Sequence, residues 1–518
     1  MSSIDRPRPV PGGAPPHGLP YGSWGARAGQ PAFWVAFTCF LVLACVPFLT
    51  TATPPLLDYP NHLARVFILG HWASDPLLRA RYQPNWAVLP NLAFDGLGVA
   101  LNAVLPIYLA GRVALIAAVL LLASGVAALS AVLHDGRPSP FCLLAFLFLF
   151  SEPFAWGFIN LILGFGLVLW GVAAWLRLRG RALPVVLAWS VPFALVLFFA
   201  HLFAFGAYAV TIGGLELAAL RGAARPFAAL RRSVLAGGAQ FVLPAALFLL
   251  ASPTPLSGGA TEFGSLFARL RTMPLAPVRN YEDWLDVLTV AAVLAVLAAG
   301  FWTRRLRVAR EMRVALVVLA VLCLAIPHRL SSSDNAEIRL PVITALLFAA
   351  SGEWAARSRR EVLAGVAALT LLLGLRAAAQ VEAFAEGSRF VAELRQALSP
   401  VPRGARIASM AVTTPEEHRM RPEWEHSILY EVIEKSAFVP SLFASPAQQP
   451  VLLDAADRGR AFPSSHYVSR PGQALPASLF ERLDYVVVIN PGALQTELPA
   501  NLQLVATGRQ FRVYRVRG

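Results

Sequence analysis

The sequence predicts a polytopic α-helical membrane protein, with about 11 transmembrane helices and a C-terminal soluble α/β domain. Three observations predict it. Of 518 residues, 57% are hydrophobic and only 14% charged, with a mean hydropathy of +0.58. A soluble chain carries roughly 25% charged residues. Apolar runs long enough to cross a hydrocarbon core of about 30 Å recur up to position 379, and beyond it the pattern changes to short β-rich runs.

In chain order, residues 1–32 are rich in Pro and Gly and read as a disordered cytoplasmic N-terminus. The run that follows is too long for a signal h-region and reads as an uncleaved first span. Candidate spans are 33–53, 106–133, 139–152, 157–176, 182–200, 203–220, 234–251, 286–303, 313–328, 339–355 and 362–379. Two joints follow from length and turn chemistry. Residues 182–220 are almost all apolar, and as one helix would reach about 58 Å, twice the hydrocarbon core, so the run must fold back near His201. Residues 139–176 are broken by SEPFAWG, where Ser151, Glu152 and Pro153 are turn material.

Arginine placement orients this layout. With the N-terminus inside, the cytoplasmic segments hold 19 arginines and the opposite loops 8. The C-terminus then lies outside, in the periplasm of a bacterial inner membrane. The +14 net charge is thereby explained by short arginine turns, and nucleic acid is set aside as a partner in favour of the lipid bilayer. Cys39, Cys45, Cys142 and Cys323 all sit in apolar runs and suggest neither disulfides nor zinc. The non-cytoplasmic segments 54–105, 252–285 and everything after 380 are long, so chemistry is expected to face outward.

In the last segment, Val381, Phe384, Val391, Leu394 and Leu398 have helical spacing, and RIASMAV (406–412), PVLL (450–453), LDYVVVIN (483–490) and FRVYRVR (511–517) read as strands. No GxxxxGK[ST], strand-borne GxGxxG, GxSxG or HExxH occurs.

Two stretches could carry chemistry. In LLDYPNHLAR (56–65), Pro60 favours the first turn of a helix. Asp58 then sits at the N-cap, with His62 and Arg65 following on the same side. One reading is a capping Asp on an interfacial helix. The other is a functional face, since charges at a membrane boundary are usually placed for function. The second stretch, PHRLSSSDNAEIRLP (327–341), places Arg329, Glu337 and Arg339 just before a span. Guanidinium groups there suit a phosphate, which they bind through paired hydrogen bonds. It also reads as a polar loop with a capping SSSD. Weaker candidates are Asn91 and Asp95 at helical spacing, Glu152, and His201 near an outer turn. The loop 252–285 could be a substrate lid. His418 and His426 in EEHRMRPEWEH lack a zinc spacing.

This pattern resembles the GT-C fold of lipid-donor glycosyltransferases, whose members include protein O-mannosyltransferase and aminoarabinose transferase relatives. The resemblance rests on Asp58 in LLDYPNH after the first span, the long loop 54–105, the domain after 380, and EIRLP (337–341) entering a late span. It implies a sugar donor on a polyprenyl phosphate and an acceptor that is a glycan, a lipid or a protein. It implies Asp58 as catalytic base and Arg339, with Arg329, on the donor phosphate. The family's Asp-Glu pair is Asp58-Tyr59 here, so His62 would orient Asp58 or join it in holding a divalent metal ion. The competing classes are a transporter or flippase, which would show inverted repeats and intramembrane charges, and a non-catalytic envelope assembly protein. Glu216 is the intramembrane carboxylate considered for the transporter class.

Overall fold

The computed structural model describes residues 29–221, 223–254, 261–329, 334–414 and 422–517. The Pro/Gly-rich stretch up to residue 28, the serines 331–333 and His418 lie outside the described residues.

Among the described residues, eight helices are long and apolar enough to cross a membrane: Gln30–Thr50, Ile107–Leu133, Ile159–Leu178, Leu183–Ala200, Leu202–Arg221, Pro226–Ala251, Asp283–Trp302 and Arg359–Leu398. They match eight of the eleven expected runs. The fold-back comes at His201, which is extended between two spans.

The other three runs take different forms, so the described residues hold eight long spans where about eleven were expected. Residues 139–152 contain a 3-10 helix, Pro140–Leu147, in place of an α-helix. Its rings climb along the first helix, with Phe146 against Phe37 and Phe40, then Phe150 and Phe154 against Phe48. A 3-10 segment rises about 2.0 Å per residue, so it covers depth with fewer residues than an α-helix. Irregular backbone is tolerated at membrane depth only where protein buries it, and Phe141 through Phe150 are nearly all buried. The helices Arg313–Ala325 and Arg339–Ser351 have 13 residues each, short of the roughly 20 a full crossing needs. The second ends where Gly352–Trp354 pairs as a strand with Leu306–Val308.

Two charged sites inside the bundle are paired. Glu216 accepts hydrogen bonds from Trp175 Nε1 (3.1 Å) and Ser233 Oγ (2.6 Å) and meets Arg179 at 3.5 Å. A second pair, unexpected from the sequence, joins Arg376 Nη1 to Asp286 Oδ1 at 3.0 Å, both side chains buried. Arg376 also donates to Thr289 Oγ1 (3.2 Å) and to the Val278 carbonyl.

The helix Arg359–Leu398 has 40 residues and runs without a break from the bundle into the C-terminal domain. That domain holds a five-stranded sheet in the spatial order 466–468, 407–413, 485–489, 511–516, 502–507. The strand Ile407–Thr413 is wholly buried and pairs in parallel with Tyr485–Ile489 and His466–Val468. Three of the four expected strands lie in this sheet. The fourth, Val451–Leu453, pairs instead with Tyr82–Pro84 of the first long loop. Tyr82 reinforces that seam by donating to the Ala437 carbonyl (3.0 Å) and accepting from Val439 N–H (2.9 Å). The loop 54–105 and the C-terminal domain therefore share one side of the bundle, and LLDYPNHLAR lies between them.

Candidate active site

The helix Tyr59–His71 begins at Asp58, as Pro60 requires. Asp58 occupies the cap position, but its side chain makes no capping hydrogen bond. Its backbone N–H donates instead to Trp156 O (3.0 Å), while Leu57 N–H donates to Ala155 O (3.1 Å). The SEPFAWG turn can come this close because Gly157 has no side chain. A Cβ there would lie 2.7 Å from Asp58 N, and its φ of +78° is a glycine conformation.

The helix aims His62 and Arg65 inward. Arg65 is fully buried and forms a two-point bond with Asp95, Nε–Oδ1 2.9 Å and Nη2–Oδ2 3.0 Å. Its Nη2 also donates to His62 Nδ1 at 2.7 Å, which places the imidazole proton on Nε2. Burial, then the Arg65 charge, holds the His62 pKa well below its usual range. Asp95 thus belongs to the cluster as the counter-ion of Arg65. Asn91 serves the backbone: its carbonyl accepts from Asn160 Nδ2 (3.0 Å), and Asn160 Oδ1 accepts from Phe94 N–H (2.5 Å).

A third wall comes from the bundle. Arg339 opens its helix and lies over the rings of Phe158 (4.8 Å) and Phe203 (5.8 Å). One Nη2–H reaches the Asp334 carbonyl (2.9 Å), while its Nε finds no partner among the described residues. Its charge acts on both Asp58 and His201. His201 Nδ1 accepts from Phe203 N–H (3.0 Å). Burial and then Arg339 lower the His201 pKa to about 3.

The fourth wall is the C-terminal domain. His426 Nε2 stands 3.8 Å from Asp58 Oδ1 and 3.9 Å from Glu425 Oε1. The His426 ring meets Phe443 edge-on at 5.1 Å, and Phe443 N–H donates to Asn61 Oδ1 at 2.7 Å. Asn61 thereby ties the two domains at the site. Removal from water and then the Glu425 charge raise the Asp58 pKa, Arg65 and Arg339 oppose them, and the net is a pKa of about 8. Burial raises Glu425 to about 7 and lowers His426 to about 3.

Of the residues singled out from sequence, the fold gathers Asp58, His62, Arg65, Asp95, His201 and Arg339. Glu337 and Glu152 stand at the rim, Glu337 on His328 (2.6 Å) and Glu152 on Arg279 (3.2 Å). Arg329 does not join them: it pairs with Glu262 (2.9 Å) and Asp334, and is 41% exposed. Among the described residues no three His, Cys, Asp or Glu side chains converge as a metal-ligand set, and Arg65 engages His62 Nδ1. Sequence reasoning missed Glu425 and His426 as partners of Asp58. The adjacent carboxylate and imidazole in WEH were the available signal.

The chain is a helical membrane protein of GT-C architecture whose polar site lies where bundle, first loop and α/β domain meet. Among solved structures it is similar to ArnT from Cupriavidus metallidurans in the apo state, with a TM-score of 0.50, 12% identity, and coverage of 94% of this chain and 98% of that one. The same protein bound to undecaprenyl phosphate aligns at a TM-score of 0.46 with 10% identity and the same coverage. No family model and no curated protein matches the chain.

Proposed function

We propose that this chain is an integral-membrane glycosyltransferase that moves a sugar from a polyprenyl-phosphate donor to an envelope acceptor on the outer face of the inner membrane. One observation carries the reading. Asp58 is a carboxylate freed from capping and held, largely out of water, near two guanidinium groups, the Glu425 carboxylate and the His426 imidazole. A pKa near the working pH suits a general base. Asp58 takes the acceptor hydroxyl proton, the acceptor oxygen attacks the anomeric carbon, and the sugar–phosphate bond breaks with its electrons moving to the lipid phosphate. Arg339, with Nε unengaged, stabilises that leaving phosphate, and Arg65 adds positive potential from the opposite wall. His62, turned by Arg65, orients the acceptor. The ArnT-like fold supports this assignment, as do the depth of the site at the bundle's outer end and the outward orientation that the arginines give.

The buried Arg376–Asp286 pair is the feature that would favour a transporter. Every one of its recorded bonds is to a fixed neighbour, which is the behaviour of a brace between helices.

The test is mass spectrometry of envelope glycolipids and polysaccharides from wild type, a gene deletion, and the deletion complemented with Asp58→Asn. One sugar increment should vanish in the deletion and stay absent with the variant. Full restoration by Asp58→Asn would remove Asp58 from the chemistry.

A further inference from the structure

We propose that the C-terminal domain completes the site with a proton relay, in which His426 Nε2 passes the acceptor's proton from Asp58 to Glu425. The proposal rests on the transferase reading above and extends it to residues of a second domain. Asp58 must lose the proton it accepts before the next turnover, and its side chain is only 13% exposed. The N–H groups nearest its backbone are engaged by the SEPFAWG turn, and Arg65 and Arg339 are donors that cannot accept a proton. His62 offers no free lone pair, because its Nδ1 is taken by Arg65. His201 Nδ1 is likewise taken, by Phe203 N–H.

His426 alone in this cluster has both ring nitrogens unspoken for. Its Nδ1 is buried without a partner among the described residues, and its Nε2 lies about equally far from two carboxylates. A buried imidazole held only for packing normally satisfies both nitrogens. Glu425 is similar, with a buried Oε2 that also lacks a partner. The groups facing Asp58 are Arg65 from its own helix, Arg339 from the bundle, and Glu425 and His426 from the outer domain. With Nδ1 protonated, the Nε2 lone pair can take the proton from Asp58 and hand it to the Glu425 carboxylate. The imidazole returns to neutral, Asp58 to carboxylate, and Glu425 releases the proton to water. The 3.8 and 3.9 Å separations shorten when substrate closes the site, as apo catalytic distances commonly do.

Two readouts test this on the full-length protein. In the deletion strain, the glycolipid increment is measured with His426→Gln, Glu425→Gln and Glu425→Asp, in media of pH 6 and pH 8. In nanodiscs, N,N′-dicyclohexylcarbodiimide, which modifies protonated carboxyls in apolar surroundings, is used to titrate Asp58 by peptide mass spectrometry. His426→Gln and Glu425→Gln should each lower the increment by about 10-fold or more, the lower end of acid–base effects. Glu425→Asp should restore most of it. Glu425→Gln should also move the Asp58 labelling midpoint to lower pH, because a repelling charge is gone. If Asp58→Asn is inactive while His426→Gln and Glu425→Gln keep wild-type turnover at both pH values, the relay is overturned and the transferase stands. If Asp58→Asn is itself active, the transferase reading fails first. Should His426→Gln not reach the membrane, the two Glu425 variants decide.

Discussion

Asp58 shows how one side chain can be read two ways until its neighbours are known. A carboxylate at a helix N-cap ordinarily binds a backbone N–H and keeps a low pKa. Here that bond is absent and burial raises the pKa to about 8. The consequence for stability has a definite sign. The folded state holds this proton to higher pH than the unfolded chain, whose Asp ionises near its ordinary 3.8. Stability from this group is therefore full below that value, falls as pH rises, and has been lost above about 8. Asp58→Asn should raise the melting temperature in detergent above pH 8, with the gain shrinking toward pH 4. The same variant should lower transfer by about 100-fold or more. Activity of the wild type should rise with pH through about 8 as the base ionises, measured as increment formed per unit time in membranes.

At the scale of elements, the turn 151–157 and the helix Tyr59–His71 are built for each other. Gly157→Ala places a Cβ 2.7 Å from Asp58 N in a left-handed conformation, at a cost of about 1–3 kcal/mol. It should reduce activity more than membrane abundance, because the strain falls on the start of the helix whose cap position Asp58 occupies. Arg65 and Asp95 tie two helices of the first loop, Tyr59–His71 and Ala93–Asn102, through a buried bidentate pair. Removing one partner leaves an uncompensated buried charge, worth about 3–5 kcal/mol. Asp95→Ala should therefore deplete the protein from membranes, and Asp95→Ala with Arg65→Met should recover part of it, read by immunoblot.

Across the whole molecule, the seam between Tyr82–Pro84 and Val451–Leu453 holds the outer domain over the site. Tyr82→Phe deletes the bond to Ala437 and leaves Val439 N–H without its acceptor, a loss of about 1–3 kcal/mol. Hydrogen exchange at residues 437–439 should quicken, and transfer should fall even though Tyr82 touches no reacting group. Unchanged exchange there would mean that the seam does not hold the domain.

The amino-acid sequence by itself determined that the chain is a membrane bundle followed by an α/β domain. Apolar length and arginine asymmetry are local, additive properties that need no partner to be read. The helix start at Asp58 and the break at His201 were legible for the same reason, since proline chemistry and maximum helix length act within a few residues. Tertiary structure decided the rest. Pro140–Leu147 is a 3-10 segment packed through Phe146 against the first helix, and no periodicity records that. Arg329 looked equivalent to Arg339 as a phosphate ligand, yet Glu262 and Asp334 hold it at the surface. His426 and Glu425 lie more than 360 positions from Asp58, and became its neighbours only because the outer domain folds back onto the first loop. Burial and charge at the site are sums over residues distant in the chain, so only the folded molecule could set the pKa of Asp58.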